Sequence, residues 1–356
     1  MAEYAAITGW GKCIPPAVLT NDEISTIIDT SDEWIRSRSG ISERRVSHVP
    51  GSDLAAVAAQ RAIAAADIDV KDVDLLIVAT CTPDTVIPST AAHVQRKIGA
   101  DNAAVFDLNA GCSGFIYSLS VATAMMRSGA YKKAVVIGSE RVTYFLNWAV
   151  RDTAVLFGDC AGAVVLEPSD QESGLLFSHL GCEGDALDAL HLPNFGTATN
   201  RFAENYDLFE HHFDGREIFR RAVKGMAGET RIVLDKLGLT NDDIDMIIPH
   251  QANLRIIESL AKYLSVDMSK VEVNIQNYGN TSAATIPVAL VEALEAGRVK
   301  PHSRILLAAF GAGLTRAAGV IRWGERTTPI KQSDAELPSC NQTALEILSG
   351  AIKTTR

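Results

Sequence analysis

Asp107-Leu108-Asn109-Ala110-Gly111-Cys112-Ser113-Gly114-Phe115 is the stretch around which the chain is organised. An apolar run over residues 103–108 ends here in small residues, and a long apolar segment over residues 115–126 follows. This pattern predicts a strand, a tight turn and a buried helix, with Cys112 in the turn. A thiol at a helix N-terminus is expected to ionise more readily than a free thiol. A packed core cysteine is the alternative, and these residues alone leave both open.

The composition is that of a globular protein with a large core. The chain has 356 residues, of which 47% are hydrophobic and 21% are charged. That length suits two domains, or one large domain built from two halves. The net charge of −10 argues against non-specific nucleic-acid binding, which needs a broad basic surface. We therefore expect no nucleic-acid partner.

Motifs for targeting, membrane insertion and metal binding are not found in the sequence. The first residues, Met1-Ala2-Glu3-Tyr4, lack the basic and apolar regions of a signal peptide. No run approaches the ~18 apolar residues that a membrane span needs. The six cysteines include no CxxC pair, and His211-His212 has no third ligand at helical spacing, so that pair is interpreted as a solvated loop. We expect a cytoplasmic protein with no bound metal and no membrane insertion.

Strand-like and helix-like segments alternate along the chain. Continuous apolar runs predict strands at residues 5–11, 73–80, 134–138, 163–167, 244–249, 305–310 and 319–323. Capping residues and helical spacing predict helices at residues 53–66, 89–98, 214–237, 256–264 and 284–296. This alternation is typical of α/β folds, in which helices cover both faces of a sheet.

The sequence also contains an internal repeat. Asp74-Leu75-Leu76-Ile77-Val78 aligns with Asp245-Met246-Ile247-Ile248-Pro249, an offset of 171 residues. The same offset places Asn109, three residues before the cysteine, onto Asn280. In both copies the order is helix, strand, turn, helix and strand. Two copies of one α/β unit explain this pattern.

The repeat divides the chain into two halves and an extension. We predict an N-terminal half at residues 1–172, a C-terminal half at residues 173–325 and an extension at residues 326–356. Within the extension, residues 344–352 fit a short helix, which is either packed or frayed. A disordered tail is the alternative for this segment.

If the halves pack about a pseudo-twofold axis, Cys112 from the first half meets His250 and Asn280 from the second. A cysteine can take an acyl group from a thioester, and a histidine or an amide can stabilise a developing enolate. Backbone N–H groups of Cys112 and of Gly311-Ala312-Gly313 can hold an oxyanion, worth roughly 3 kcal/mol per donor. The three side chains also fit a papain-like protease, but the doubled α/β pattern argues against that fold.

Two further features suit a ligand or a partner. Trp34, with Arg38 nearby, can sandwich a planar ring by stacking and cation–π contact, although a core anchor is an equal alternative for this tryptophan. The helix predicted at residues 214–237 carries a basic row, which is either a binding face or an ordinary solvated face. The members of this row are Arg216, Arg220, Arg221, Lys224 and Arg231.

Four separated motifs resemble those of the β-ketoacyl-[acyl-carrier-protein] synthase III family. They are Asn109-Ala110-Gly111-Cys112-Ser113-Gly114, Pro249-His250-Gln251-Ala252-Asn253, Asn277-Tyr278-Gly279-Asn280-Thr281-Ser282-Ala283-Ala284 and Phe310-Gly311-Ala312-Gly313. The stretch at residues 29–35 and the turn Phe157-Gly158-Asp159 match the family as well. The resemblance spans roughly residues 5–324, in register and in order.

The resemblance implies a thiolase fold, an α/β architecture of five layers in the order αβαβα, in a homodimer. It implies that an acyl-CoA primer acylates Cys112, and that malonyl-acyl-carrier protein then loses CO₂ and attacks the acyl group. The 3-ketoacyl product initiates fatty-acid synthesis. Cys112 is the implied nucleophile, with its own N–H and that of Ala312 as oxyanion donors, and His250 and Asn280 stabilise the enolate. No cofactor is implied, because acyl-CoA is a substrate.

The resemblance also assigns binding residues. Trp34 and Arg38 are expected to clamp the CoA adenine. The full set of implied CoA-binding residues is Thr30, Trp34, Arg38, Arg151, Gly215, Phe219 and Asn253. Because acyl-carrier proteins are acidic, basic residues are expected to steer one to the site. These residues are Arg216, Arg220, Arg221, Lys224 and Arg255.

Two departures from the family pattern concern the acyl pocket and the oxyanion site. Ile87 stands where many members have phenylalanine, a residue that reaches the partner's acyl pocket, so a primer longer than acetyl is expected, up to medium chain. Gly-Ala-Gly replaces the usual triple glycine at residues 311–313, which keeps the backbone donor and adds a methyl group at Ala312.

Three other functions are weighed against this one. A related condensing enzyme of specialised metabolism, acting on an aryl- or long-chain acyl-CoA, stays open because of Ile87. A thioester hydrolase or an acyltransferase without decarboxylation is a second alternative, against which His250 and Asn280 together count. A non-catalytic scaffold is disfavoured because all three site residues are present.

Overall fold

The computed structural model describes residues 3–192, 196–197, 200, 202–203, 209 and 212–355. Its strands are β1 (Tyr4–Cys13), β2 (Ala17–Thr20), β3 (Glu43–Val46), β4 (Leu75–Ala79), β5 (Ala104–Leu108), β6 (Ala134–Arg141), β7 (Asp159–Ser169), β8 (Gly174–Cys182), β9 (Leu190–His191), β10 (His212–Phe213), β11 (Met246–Pro249), β12 (Arg304–Gly311) and β13 (Thr315–Arg322). Its helices are α1 (Asn21–Ser25), α2 (Asp32–Ser39), α3 (Gly51–Ala66), α4 (Thr90–Ile98), α5 (Gly114–Arg127), α6 (Arg151–Ala154), α7 (Gly215–Leu237), α8 (Leu254–Leu264), α9 (Ile275–Tyr278), α10 (Thr285–Glu295) and α11 (Ala344–Thr355).

Eight of the nine strands of one large mixed sheet are arranged symmetrically about the β1–β8 pair, and β5 extends the edge of the first half. The order of the nine strands is β11-β12-β13-β8-β1-β7-β6-β4-β5, with β1 and β8 as parallel neighbours in the middle. Outward from the centre, β1, β7, β6 and β4 of the first half correspond to β8, β13, β12 and β11 of the second. The sheet order therefore repeats the duplication found in the sequence.

The two halves repeat individual hydrogen bonds as well as strand order. The Asp74 carboxylate accepts a bond from the backbone N–H of Lys133 at 2.9 Å, where β6 begins. At the equivalent place in the second half, the Asp245 carboxylate accepts one from the N–H of Arg304 at 2.8 Å. These bonds set the same register in both strand pairs, so the repeat is a structural one.

Two helices form the middle layer of the molecule. Phe115 and Leu119 of α5 share one apolar cluster with Ile286 and Leu290 of α10. Residues from one face of strands in both halves belong to the same cluster, among them Leu75, Ile77, Ile305 and Leu307. The sheet halves therefore enclose α5 and α10, which explains why both helices are apolar around most of their circumference.

The opposite face of each sheet half is covered by other helices. Leu76 and Val78 of β4 pack with α3 and α4 in a second cluster. Leu306 and Ala308 of β12 pack with α7 and α8 in a third. The layer order is helices, sheet, helices, sheet and helices, so the predicted five-layer architecture is confirmed. Strands buried on both faces read as unbroken apolar runs, which is why the sequence indicated them.

The structure adds one strand of the large sheet to the sequence prediction and settles the alternatives for the C-terminal extension. Strand β8 was not predicted, because most of its side chains are half-exposed and it lacks a continuous apolar run. The helix predicted at residues 344–352 extends over Ala344–Thr355 as α11 and is packed, with Leu348 and Ile352 buried. The disordered alternative for this segment is therefore wrong.

None of the described helices has the length and hydrophobicity that crossing a bilayer requires. All six cysteines are unpaired.

Candidate active site

The turn between β5 and α5 presents Cys112. Gly111 adopts a positive φ of 54°, a conformation that costs glycine little, and the side-chain oxygen of Asn109 accepts a bond from the Gly111 N–H at 3.1 Å. The chain therefore reverses direction within a few residues and enters the helix immediately after the cysteine.

The second half of the chain packs directly against this turn. A Cβ atom added to Gly311 would lie 2.6 Å from the backbone nitrogen of Cys112, so only glycine fits there. The Thr315 hydroxyl donates to the Ala110 carbonyl at 2.7 Å. The backbone N–H of Ala312, between these two residues, hydrogen-bonds the Cys112 sulfur. An oxyanion formed on a group bound at Cys112 would meet the same donor.

A cavity of about 840 Å³ leads to Cys112. Its walls come from the cysteine turn and from segments at residues 81–86, 142–147, 190–192 and 312–315, with Thr153, Phe157, Gly196 and Ser282 completing the lining. The lining is largely apolar, which suits an acyl chain. Cys112 is 8% exposed and lies on the wall, so it is a cavity residue and not a core cysteine.

The expectation that the thiol of Cys112 ionises readily is wrong. Burial, with a smaller contribution from the nearby Glu140 carboxylate, raises its pKa to about 11. Hydrogen bonds from Ser282 and from the N–H groups of Cys112 and Ala312 oppose this shift without cancelling it. The helix terminus acts on a sulfur that has lost its water, and desolvation of the charged form is the larger effect.

This pKa predicts how Cys112 reacts with an alkylating agent. Below a pKa of about 11, the thiolate fraction grows tenfold per pH unit. We expect the rate of Cys112 alkylation by iodoacetamide to rise about tenfold per unit from about pH 7 to about pH 9.5. Peptide mass mapping separates this signal from that of Cys81, and Cys112→Ser provides the blank. A rate that levels off below about pH 8 would contradict the raised pKa.

His250 follows β11 and is buried, at 2% exposed. Its Nδ1 atom lies 2.7 Å from the Thr285 hydroxyl, which in turn donates its proton to the Ser282 carbonyl at 3.0 Å. While that hydroxyl donates to the carbonyl, Nδ1 of His250 is the donor to the hydroxyl oxygen, and Nε2 carries a free lone pair. Burial lowers the pKa of His250 to about 3, so the imidazole is neutral at physiological pH.

Asn280 is 7% exposed and presents its amide group as a donor. Its side-chain oxygen accepts a bond from the Ser282 N–H at 2.8 Å, which leaves the NH₂ group free to donate. This turn has the same side-chain bond as the turn at Asn109, its counterpart in the repeat. The Asn280 N–H donates to the Leu156 carbonyl at 2.8 Å, so the first half of the chain holds this residue in place.

Ser282 connects the three predicted site residues. It hydrogen-bonds the Cys112 thiol, its N–H binds Asn280, and its carbonyl accepts from the Thr285 hydroxyl that holds His250. Ser282 lines the cavity beside Cys112, whereas His250 and Asn280 do not line it and are linked to it through Ser282. The structure therefore joins residues from both halves in one hydrogen-bonded group.

Trp34 and two arginines form a separate group on the surface. The guanidinium of Arg151 lies 4.5 Å from the centre of the Trp34 ring, and that of Arg38 lies 5.8 Å from it. Asn253 donates to the Arg38 carbonyl at 2.9 Å. The Thr30 hydroxyl is enclosed with no hydrogen-bond partner among the described residues. These five residues of the implied CoA-binding set are thus close together.

The other implied CoA-binding residues, Gly215 and Phe219, lie in the first turns of α7 and are exposed. No hydrogen bond or ring contact found within the described part of the chain joins them to Trp34. Their role stays a prediction.

The basic row on α7 is partly neutralised. Arg221 forms ion pairs with Glu183, Asp185 and Glu217, and Arg220 pairs with Glu217 at 2.6 Å. Arg216 and Lys224 on α7, and Arg255 on α8, are exposed. The sequence indicated the arginines but not their pairing with these carboxylates. Two of the carboxylates come from the segment after β8. Arg221 is consequently engaged within the fold.

Comparisons with known proteins give the family of this chain. Two family profiles, described as 3-oxoacyl-[acyl-carrier-protein (ACP)] synthase III and its C-terminal part, match residues 106–184 and 234–323. A relative from Vibrio cholerae named β-ketoacyl-[acyl-carrier-protein] synthase III 2 is 56% identical over 98% of this chain and 97% of its own. This chain belongs to the β-ketoacyl-[acyl-carrier-protein] synthase III family.

Other members of the synthase III family match most, but not all, of the chain. A synthase III from a Roseiflexus species is 49% identical over 91% of this chain and 99% of its own. The crystal structure of the synthase III from Aquifex aeolicus superimposes with a TM-score of 0.84 at 42% identity, over 90% of this chain and 100% of that one.

Some residues of this synthase III site were not found from the sequence. Glu140, at the end of β6, is fully buried and accepts bonds from Thr82 and from the N–H of Cys81, and burial raises its pKa. An acidic residue closing an apolar strand was the available signal. The sequence offered no signal for Ser282 and Thr285, because small polar residues are common in turns. Ser282 has a positive φ of 50°, a strained conformation of the kind often found at functional sites.

The remaining residues singled out in the sequence are Ile87 and the pair His211-His212. Ile87 is 85% exposed at the end of the loop that forms one cavity wall, and it does not line the cavity of its own chain. His211 lies outside the described residues. Within the residues that the structure describes, no group of three His, Cys, Asp or Glu side chains could hold a metal ion.

Proposed function

We propose that the protein condenses an acyl-CoA primer with malonyl-acyl-carrier protein to give a 3-ketoacyl-acyl-carrier protein, in the cytoplasm, as the initiating step of fatty-acid synthesis. Membership of the synthase III family supports this function. The observation that carries it is the cavity that ends at Cys112, whose thiol is hydrogen-bonded through Ser282 to the group holding His250 and Asn280.

In the first stage, the Cys112 sulfur attacks the thioester carbonyl of the primer. Because the resting group is a thiol, its proton must leave, and in this proposal the free lone pair on Nε2 of His250, a weak base, accepts it as the sulfur attacks. The carbonyl oxygen becomes an oxyanion facing the N–H groups of Cys112 and Ala312. Collapse of this intermediate expels CoA, whose sulfur takes the proton from Nε2. The imidazole, whose pKa is about 3, thus carries the extra proton only briefly.

In the second stage, malonyl-acyl-carrier protein loses CO₂ and leaves a carbanion stabilised as an enolate. The NH₂ group of Asn280 donates one hydrogen bond to the enolate oxygen. Nε2 of His250 donates a second in the other tautomer, which forms when Nε2 takes up a proton from solvent, Nδ1 gives its proton up to solvent, and the Thr285 hydroxyl turns to donate to Nδ1. The carbanion then attacks the acyl carbon, and the new carbon–carbon bond forms as the bond to the Cys112 sulfur breaks. The thiolate that leaves takes a proton from solvent, which restores the resting thiol.

The group around Trp34 suits the adenine of CoA. An indole ring with guanidinium groups nearby offers both stacking and cation–π contact to a planar base. Arg38 and Arg151 bring positive charge for the CoA phosphates. Thr30 and Asn253 add polar atoms, and Gly215 and Phe219 line the rest of the route in this proposal.

We expect Trp34→Ala to raise the KM for acyl-CoA about tenfold, the equivalent of ~1.4 kcal/mol, with little change in kcat. The lost ring contacts only the adenine end of the substrate, so binding is weakened without change to the reacting atoms. Steady-state kinetics with acyl-CoA and with an acyl-pantetheine, which has no adenine, measures this. Arg36→Ala, on the same helix, is the matched control. An equal loss with acyl-pantetheine would contradict the assignment.

The homodimer is part of the proposal. Val86 and Ile87 are large apolar side chains that are each 85% exposed beside the cavity, and burial in a partner subunit would remove them from water. In that arrangement Ile87 reaches the acyl pocket of the second subunit. Its size and the apolar cavity favour primers up to medium chain. Arg216, Lys224 and Arg255, which are exposed, are the stronger candidates for steering the acidic carrier protein, with Arg220 and Arg221 held by carboxylates.

A panel of acyl-CoAs of increasing length tests the proposal. We expect each accepted primer to add its acyl mass to the protein, and malonyl-acyl-carrier protein to convert that acyl-enzyme to a 3-ketoacyl product. An acyl-enzyme that only loses its acyl group to water would identify a hydrolase. Acylation restricted to aryl- or long-chain primers would instead favour specialised metabolism.

A further inference from the structure

The C-terminal extension packs behind one wall of the cavity. Ala344, Leu348 and Ile352 of α11 are buried in the same apolar cluster as Val142 and Leu146. Val142 and Leu146 also line the cavity. One continuous set of apolar contacts therefore connects the extension to the space in front of Cys112.

The segment leading to α11 is fastened along its length. Arg326 donates to the Thr8 carbonyl, and its guanidinium lies 5.1 Å from the centre of the Trp10 ring. Further along, Arg61 donates to the Ala335 carbonyl at 3.0 Å. A capping box of Thr343 and Glu346 then begins α11. These contacts thus fix the position of α11 relative to the rest of the fold.

The cavity-wall loop at residues 142–147 is also held by hydrogen bonds to residues outside α11. The buried Asp159 carboxylate accepts bonds from the N–H and the hydroxyl of Thr143, at 2.9 Å and 2.6 Å. Trp148, at the end of the loop, belongs to the same apolar cluster as α11 and donates to the Thr143 carbonyl at 3.2 Å. Hydrogen bonds therefore fix the backbone of this loop, whereas α11 supports its apolar side chains.

The family profile and some relatives match less than the whole chain. The family profile ends at residue 323, and the Roseiflexus synthase covers only 91% of this chain although it matches over 99% of its own length. The Vibrio relative covers 98% of this chain. The segment that forms α11 therefore lies outside the family profile.

We propose that α11 sets the width of the cavity in front of Cys112, and thereby the acyl-chain length that the enzyme accepts. Leu348 and Ile352 are positioning residues that hold Val142 and Leu146 inward. Removing volume behind these two side chains lets them move outward, and the cavity widens. The reference to acyl chains rests on the proposed function, whereas the effect on the cavity does not.

Alkylation of Cys112 by N-alkylmaleimides tests the effect on the cavity directly. The probes are N-ethylmaleimide and N-octylmaleimide, and the variants are Leu348→Ala and the milder Ile352→Val. We expect the octyl-to-ethyl ratio of alkylation rates to rise about threefold to tenfold in Leu348→Ala, and less in Ile352→Val. Lys353→Ala, on the exposed side of α11, is the matched control and should keep the wild-type ratio. If Leu348→Ala does not fold, Ile352→Val decides the result.

The acyl-CoA panel, applied to the same variants, gives the second readout. A support role predicts that kcat/KM shifts toward longer primers, whereas a purely structural role lowers the thermal stability and leaves the length profile unchanged. Unchanged maleimide ratios in folded variants would overturn the proposal. Absence of acylation by any acyl-CoA in the wild type would overturn the proposed function instead, and the maleimide ratios would still decide the role of α11.

Discussion

Cys112→Ala is expected to abolish acyl-enzyme formation and to lower turnover by at least ~10³-fold, or about 4 kcal/mol of transition-state stabilisation. The proposed reaction has a covalent intermediate on this sulfur, and no other cysteine occupies the end of the turn between β5 and α5. Intact-protein mass spectrometry after incubation with acyl-CoA measures the loss of the acyl adduct. The fold should survive, because the substitution removes one small side chain from a cavity wall.

The control for this experiment is Cys340→Ala, which removes a thiol from the extension and should leave acylation intact. Cys81 needs separate attention, because it also lines the cavity and lies 3.5 Å from the Ser282 hydroxyl. An undiminished acyl adduct in Cys112→Ala, mapped to Cys81, would move the nucleophile to the neighbouring thiol.

Asn280→Ala is expected to separate the two stages of the reaction. Acylation of Cys112 should stay within a few-fold of the wild type, because Asn280 acts on the enolate of the second substrate. Condensation should fall ~10²- to 10³-fold, the usual loss for one oxyanion donor. The acyl-enzyme should therefore accumulate when malonyl-acyl-carrier protein is present. His250→Ala should lose condensation as well, and should also acylate more slowly because it removes the proton acceptor.

Rapid-quench mass spectrometry resolves these two stages. Asn277→Ala, an exposed asparagine three residues earlier in the same motif, is the matched control and should turn over normally. Normal product formation by Asn280→Ala would remove its amide from the mechanism. Equal acylation rates in His250→Ala and the wild type would assign the thiol proton to another acceptor.

The sequence was most informative about the duplicated core. Asp74 and Asp245 align through the apolar runs that follow them. Both carboxylates accept a bond from a backbone N–H at the start of the neighbouring strand in the sheet, β6 or β12. The strands could be recognised because burial on both faces leaves an unbroken apolar run. The turns at Cys112 and Asn280 followed from the repeat, since equivalent strand ends must meet if the halves are related by a twofold axis.

Electrostatics was the least predictable property of the site. The position of Cys112 near a helix N-terminus indicated a lowered thiol pKa, yet the structure raises it, because burial and Glu140 act across the fold. Arg221 likewise looked available on a basic helix face, but its carboxylate partners Glu183 and Asp185 come from a distant loop. A local sequence pattern identifies a charged residue, but it does not identify the groups that surround that residue in the fold.

The hydrogen bonds that join the site were also beyond the sequence. Thr285 determines which nitrogen of His250 carries the proton, and it does so with a hydroxyl that no motif distinguishes from other small polar groups. The packing of α11 was uncertain for a similar reason. Its amphipathic pattern fits either a docked or a frayed helix, and only the position of the cluster around Trp148 decides between them.

The matching turns at Asn109 and Asn280 have a consequence for the ancestry of the enzyme. A half-length ancestor would have had to pair with a copy of itself, and both turns would then have been encoded once and been identical. Gene fusion would have released each turn from that constraint, so both could keep the asparagine while the first holds Cys112 where the second holds Ala283. The division of labour between nucleophile and enolate stabiliser thus depends on the loss of symmetry, and neither half on its own contains the complete chemistry.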